Sequence, residues 1–369
     1  MRIILLSNSD SGLYEFRREL IEILSKYNTV LCCTPGSDGY VNKLEELGCS
    51  CLITDIERRS TNPVRDLSLF FKYLGIIREY HPDVVLTYTV KPNIYGGIAC
   101  RLTKTPYISN ITGLGTSIEN GGLLGRFVIL LYKIGIKKAG CVFFQNKNNK
   151  LYFEKKGAYG DRVRVIPGSG VNTQLHSLEE YPDDREGFRF LFVGRIMKDK
   201  GVEELLQAVE ILSKDSGKFV LSVVGACEER YNEVLSEYEK KGLLKYYGKR
   251  RDIHAFYKDA HCVVLPSYHE GMSNVMLEAA STGRPVITTR VPGCRETFDE
   301  GVSGIGCDAM DVNSLLKAMR TMMNTPWEER RKMGLAGRNK VANEFDRRYV
   351  VQAYLSELDA IKTSKNICE

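Results

Sequence analysis

Short, almost continuously apolar runs alternate with helix-period segments along nearly the whole chain, and no other feature constrains its fold as strongly. RIILLSN, TVLCCT, SCLITDI, DVVLTYT, YISNIT and CVFFQN lie in the first half; FRFLFVG, FVLSVVG, CVVLPS and PVITT lie in the second. A strand that is apolar at every position, rather than at every second one, is buried on both faces. That is the situation of a parallel sheet covered by helices on each side. The intervening LYEFRRELIEILSKY and VRDLSLFFKYLGIIREY carry helical spacing, and GVEELLQAVEIL sets Val202, Leu205, Leu206 and Val209 on one helical face. Strand–helix alternation requires crossover connections and places the chain in the α/β class with parallel sheets.

A length of 369 residues exceeds one ordinary core and implies two domains. The joint falls near residue 170, in VIPGSGVNTQ, where Gly168, Gly170 and Asn172 loosen the backbone. A polar turn, YPDDREG, precedes the next strand. The expected division is 1–170 and 171–345, with a closing helical segment over 346–369 that contains FDRRYVVQAYLSEL. The expected architecture is two doubly wound, Rossmann-like domains facing a cleft, with ligand at the carboxyl ends of the strands.

Several classes are excluded by composition. No segment approaches the roughly 20 apolar residues of a spanning helix. The apolar run of MRIILLSNSD covers only Ile3 to Leu6, without a following cleavage site, so a buried first strand is expected there instead of a signal peptide. The eleven cysteines are scattered, as in Cys32, Cys33, Cys100, Cys141 and Cys262, and form no CxxC framework. They are expected as buried thiols in a reducing compartment. The net charge of +6 comes from the first half, the second being slightly acidic. A basic half fits an anionic surface or substrate, or a merely solvated face.

Two motifs carry chemistry. In FVGRIMKDKG a strand ends at Gly194, Arg195 follows, and Lys200 and Gly201 open a helix. A helix amino terminus favours anions, and two cations beside it can grip a diphosphate, Arg as a fork and Lys as a point charge. In EGMSNVMLE two acids, Glu270 and Glu278, stand eight residues apart. On one ideal helix that spacing is a rise of about 12 Å. Glycosidase acid pairs lie about 5–5.5 Å apart when retaining and about 6.5–9.5 Å apart when inverting, so a hydrolytic pair is disfavoured. Glu270 belongs to the turn after CVVLPSYH, and Ser273 or Asn274 can cap the next helix. Glu278 sits inside that apolar helix and needs a partner, either a sugar hydroxyl or a nearby arginine.

Together, GRIMKDKG and the Glu270–Glu278 pair resemble family 4 retaining glycosyltransferases of the GT-B fold, a resemblance that extends over most of the chain. It implies that Arg195 and Lys200 bind the donor diphosphate and stabilise its departure. Glu278 would hold ribose hydroxyls and Glu270 the donor sugar. Gly194 and the backbone of Gly271, Met272, Ser273 and Asn274 would line the sugar and phosphates, and Arg251 and Ile253 of GKRRDI would touch the base. No metal and no cofactor are implied, and no DxD motif is present. The last helix is expected to cross back to the first domain.

TYTVKPNIYGGIACRL and YISNITGLGTSIENGG resemble a bacterial subgroup that builds O-antigen, capsule or linked glycans on undecaprenyl diphosphate. That implies a UDP-N-acetylhexosamine donor such as UDP-GalNAc and a lipid-linked saccharide acceptor. Lys91, Asn93, Thr112 and Gly113 would border the acceptor side. Ser11 and Gly12, after the first strand, would approach the donor phosphates. Many relatives place a His near the reacting sugar; NITGLGTS has none, which leaves the sugar-side contacts of this half unassigned.

The segment 121–140, GGLLGRFVILLYKIGIKKAG, joins an apolar face to Arg126, Lys133, Lys137 and Lys138. Such a helix docks on an anionic membrane surface or packs into the core with a basic edge. The reading adopted is a peripheral protein on the cytoplasmic face of the membrane. Neither GLGTS nor GSG makes GxGxxG, which argues against a nicotinamide oxidoreductase. The remaining rivals are a nucleotide-sugar 2-epimerase on the same fold and a non-enzymatic basic binding module. The first lacks histidines near its motifs other than His269, and nothing in the chain matches a nucleic-acid motif.

Overall fold

The computed structural model describes residues 1–56, 62–115, 118, 121–160, 162–214 and 218–368. They form two compact units, one of residues 1–169 with 348–369 and one of residues 170–347.

The sheet of the amino-terminal unit contains β1 (Arg2–Leu6), β2 (Thr29–Thr34), β3 (Ser50–Ile53), β4 (Val84–Tyr88), β5 (Tyr107–Ile111), β6 (Cys141–Phe144) and β7 (Val163–Val165). Their order is β3-β2-β1-β4-β5-β6-β7, parallel throughout. The continuous apolar runs follow from burial on both faces. Ile3, Leu5, Val30 and Cys32 join Leu13, Leu20 and Leu24 of the helix Asp10–Tyr27 in one core. Ile4, Leu6, Leu31 and Cys33 join Tyr73, Ile76 and Ile77 of the helix Pro63–Tyr80 in another. Each such side chain contributes about 1.5–3 kcal/mol on full burial.

The closing helix Arg347–Cys368 adds to the first of these cores. Tyr354 is fully buried there, its ring 4.7 Å from that of Phe143, and its hydroxyl accepts from Asn110 Nδ2 at 2.7 Å. Glu357 accepts from Arg164 at 2.7 Å.

The carboxy-terminal unit holds β8 (Phe188–Val193), β9 (Phe219–Val224), β10 (Leu244–Tyr246), β11 (Cys262–Leu265), β12 (Val286–Thr289) and β13 (Gly304–Cys307). Their order is β10-β9-β8-β11-β12-β13, again parallel. Phe190, Phe192, Val263 and Ile287 anchor its core. The cysteines named from the sequence, Cys32, Cys33, Cys100, Cys141 and Cys262, are buried free thiols.

In both sheets the strand order reverses beside the first strand: at β1/β4 in one unit and at β8/β11 in the other. Crossovers from those strands leave in opposite directions, so the loops at their carboxyl ends diverge and open a crevice. The loops after β8 and β11 hold the two chemical motifs.

Candidate active site

The loop after β8 runs through Gly194 and the exposed Arg195 into a short 3₁₀ turn, Lys198–Lys200. Gly201 then starts the helix Val202–Leu212 at φ +69°, and a Cβ there would meet the carbonyl oxygen of Pro266 at 2.1 Å. Only glycine lets this loop lie directly on the one after β11. Lys200 is thereby brought to Glu270, and the two form an ion pair. Ser267 donates to the same carboxylate oxygen at 2.9 Å, and Thr289 holds the Ser267 carbonyl at 2.6 Å.

A third loop supports the turn from behind. Ser273 N donates to the Gly293 carbonyl at 2.8 Å, and a Cβ on Gly293 would stand 2.4 Å from the Glu270 carbonyl oxygen. Ser273 is the N-cap of the helix Asn274–Ser281, but its side chain makes no capping bond. Ser273 Oγ and Asn274 Oδ1 are both buried and without a hydrogen-bond partner. Buried polar atoms left so are costly. Here they stand at a helix amino terminus, three and four residues after Glu270, where a ligand can satisfy them.

Glu278 lies one helical turn further and is half-buried. Tyr257, fully buried, donates its hydroxyl to Glu278 Oε2 at 2.9 Å, and His176 Nε2 stands 4.0 Å from Oε1. Burial first, and then the Glu278 carboxylate, push the Tyr257 phenol well above its usual range, so it remains a donor. The adjoining His254 bonds Glu179 at 2.9 Å, and that hydrogen bond is the main cause of the lowered Glu179 pKa. Arg251 is exposed in the loop after β10, and Ile253 packs against the core at the start of the helix His254–Asp259.

The sequence motifs thus meet within this unit, while the groups that hold them were missed. Gly293, Tyr257 and His176 act through contacts between segments far apart in the chain, and Ser267, three residues from Glu270, is held by the distant Thr289. Only the small residues at Gly201 and Gly293 hint at them.

In the amino-terminal unit the expected residues are placed differently. Ser11 gives its hydroxyl to Asp38 Oδ2 at 2.7 Å, and the Gly12 amide donates to Ser9 Oγ at 3.0 Å. Lys91 is almost buried and pairs with Asp66 at 2.7 Å. Asn93 is fully buried, donating to the Asn110 carbonyl at 2.8 Å and accepting from Thr87 at 2.7 Å. Its amide is therefore occupied inside the unit. Thr112 and Gly113 follow β5 and are partly exposed; Thr116, Ser117, Glu119 and Asn120 of the same glycine-rich stretch lie outside the described residues.

The two doubly wound parallel sheets place the chain in the GT-B fold class. Residues 177–340 match the family model of glycosyl transferases group 1, and residues 2–146 match that of glycosyl transferase 4-like proteins, so the chain belongs to these glycosyltransferases. It is 27% identical to the N,N'-diacetylbacillosaminyl-diphospho-undecaprenol alpha-1,3-N-acetylgalactosaminyltransferase of Campylobacter jejuni, over 98% of this chain and 99% of that one. It is 26% identical to the UDP-Gal:alpha-D-GlcNAc-diphosphoundecaprenol alpha-1,3-galactosyltransferase of Escherichia coli, over 78% of each. Among solved structures, Anabaena HepE in complex with UDP and glucose superposes with a TM-score of 0.80 at 19% identity, covering 98% of this chain and 100% of that one.

Proposed function

We propose that the protein transfers a sugar, an N-acetylhexosamine such as GalNAc, from a UDP-sugar to a saccharide carried on a lipid diphosphate, with retention at the anomeric carbon. The observation that carries this reading is the Lys200–Glu270 pair beside the unsatisfied Ser273 Oγ and Asn274 Oδ1 at the strand-order reversal. Lys200 spends one N–H on Glu270 and keeps others for diphosphate oxygens, with Arg195 as the second cation. Glu270 keeps its second oxygen for a sugar hydroxyl, and Glu278, steadied by Tyr257, receives the ribose hydroxyls. Arg251 and Ile253 border the base.

Attack from the leaving-group face fits this arrangement. The departing diphosphate takes the proton of the acceptor hydroxyl as the new C–O bond forms and the old one breaks. Arg195 and Lys200 neutralise the developing charge, which is electrostatic stabilisation where charge appears, in the role a metal ion would otherwise fill. The names of the two relatives support a lipid-diphosphate acceptor.

Membrane association is part of the same proposal. The helix Gly122–Ile136 buries Ile129, Tyr132 and Ile136 but exposes Leu123, Leu124, Phe127, Leu130 and Ile134. Lys133, Lys137 and Lys138 are exposed beside that ridge, so an anionic lipid surface matches it in both apolarity and charge. No helix of the described residues is long and apolar enough to cross a membrane.

The test is transfer of radiolabel from UDP-GalNAc, UDP-GlcNAc and UDP-Gal to an undecaprenyl-diphosphate-linked sugar, with the anomeric configuration of the product read by NMR. A retained α-linkage supports the proposal. Epimerised donor formed without acceptor, or no donor binding at all, overturns it.

A further inference from the structure

A histidine that no motif announces faces Glu278. The segment carrying it starts at Asn172, which shapes a tight turn. The Asn172 side-chain oxygen accepts from the amides of Gln174 and Leu175 at 3.0 and 2.8 Å, and its carbonyl accepts from the His176 amide at 2.9 Å. The His176 carbonyl in turn accepts from Ser281 Oγ at 2.6 Å and from Arg338 Nη1 at 2.8 Å. Arg338 also donates to the carbonyls of Thr173 and Ser281, at 3.0 and 2.7 Å. Further on, the Glu179 amide donates to the Thr282 carbonyl at 3.2 Å. The turn is thereby fastened to the end of the helix Asn274–Ser281, by a serine three residues after Glu278 and by an arginine of the helix Trp327–Glu344.

That fastening sets the His176 ring beside the carboxylate. Its Nε2 stands 4.0 Å from Glu278 Oε1, while Tyr257 holds the other oxygen, Oε2, at 2.9 Å. A separation of 4.0 Å is too long for a hydrogen bond from a neutral imidazole and short enough for an ion pair with an imidazolium. The two side chains are 12% and 19% exposed, so protons reach the ring while little water screens the pair. The Tyr257 and His254 rings each lie 6.0 Å from that of His176. His254 is engaged by Glu179 at 2.9 Å, Lys258 meets the same carboxylate at 3.5 Å, and Arg338 meets His176 at its carbonyl.

We propose that His176 is a positioning residue for the donor nucleotide: neutral, it lets Glu278 Oε1 turn toward the ribose hydroxyls; protonated, it draws that oxygen to itself and weakens donor binding. The proposal rests on the reading of Glu278 as the ribose acceptor and deepens it. Its physical basis is competition for one oxygen. A carboxylate accepts a charge-assisted hydrogen bond from a ribose O–H, and an imidazolium offers it a charged donor from within the protein. Tyr257 fixes Oε2, so Oε1 is the oxygen that responds. Histidine is the side chain whose ordinary titration falls at physiological pH, so the affinity for the donor becomes a function of pH.

The experiment measures, by titration calorimetry on the full chain, the affinities for UDP and for 2′,3′-dideoxy-UDP between about pH 7.5 and about pH 5.5, across the ordinary histidine range. The terminal phosphate titrates alike in both nucleotides and cancels in the ratio, which isolates the ribose hydroxyls. UDP is expected to be favoured at the upper pH, and its advantage to shrink about three- to tenfold at the lower. His176→Gln, uncharged throughout, should hold the ratio constant, whereas His254→Gln should keep the wild-type step. A wild-type ratio that does not change with pH overturns the proposal without recourse to any variant. A step that survives in His176→Gln, or vanishes in His254→Gln, assigns the proton to another group and overturns it as well. Equal affinity for the two nucleotides at every pH overturns the ribose reading of Glu278 and the positioning role with it. Absence of UDP binding overturns the donor reading itself.

Discussion

The two strand-order reversals are built on one plan and furnished differently. At β8/β11 the lysine is paired with Glu270, and two oxygens at a helix start, Ser273 Oγ and Asn274 Oδ1, are left without a hydrogen-bond partner. At β1/β4 the charges are paired within the protein, Lys91 with Asp66, and the helix start is already answered by Asp10 and Asp38. On the function proposed above, the first crevice would receive the anion that departs. The same topology opens both places, and side-chain charge decides what each can hold.

The largest effects should strike the first crevice. Arg195→Ala or Lys200→Ala is expected to lower kcat roughly 10²-fold or more, as removal of an oxyanion donor does, with acceptor KM little changed. Near-normal turnover in both would end the assignment of the diphosphate to this crevice.

Acid should weaken the carboxy-terminal unit through His261. This residue is fully buried at the start of β11, accepts from Arg189 N at 3.0 Å and stacks on Phe188. Burial pulls its pKa from 6.5 down to about 4. The unfolded chain therefore binds the proton first as pH falls. Stability is unaffected above about pH 6.5 and declines from there toward pH 4, by roughly 3 kcal/mol at most. Urea midpoints at pH 7 and 4.5 measure this, and His261→Gln should flatten the difference.

Removing the Tyr257 hydroxyl should act on the donor and not on the acceptor. Tyr257→Phe is expected to raise donor KM about three- to tenfold by loosening Glu278, at nearly constant kcat. An equal rise in acceptor KM would blur the division between the crevices.

The smallest effect concerns strain. Thr89→Gly accommodates φ +71° and should stabilise the amino-terminal unit by about 1 kcal/mol or less after glycine's entropic cost, read as a small rise in melting temperature. A fall instead would show that glycine's added freedom outweighs the relief of strain.

How much was legible varies with distance along the chain. The central strands were visible because both their faces are buried. β7, β10 and β13 were not recognised, and all three lie at sheet edges: VRV, LKY and GIGC carry no continuous apolar run to betray them. The helix of 121–136 declared its apolar face and basic residues, yet whether that face was core or surface took the exposure of Leu123 and Phe127 to decide. Expectations drawn for Ser11, Gly12 and Asn93 meet side chains and amides already bonded inside the unit: Gly12 by Ser9, the N-cap of its own helix, and Ser11 and Asn93 by Asp38, Thr87 and Asn110, which lie on other segments.

The order of the amino acids alone determined the α/β class, the joint near residue 170 and the two motifs at 194–201 and 270–278. Each of these is a property of residues close together in the chain, where periodicity and loop chemistry act. Tertiary structure alone decided that Lys200 pairs with Glu270, that Tyr257 holds Glu278, and that Asp66 neutralises Lys91. Those pairings join residues 70, 21 and 25 positions apart, across crossovers whose direction no local pattern encodes. A charge's partner, and so what it can still bind, depends on which loops the sheet brings together.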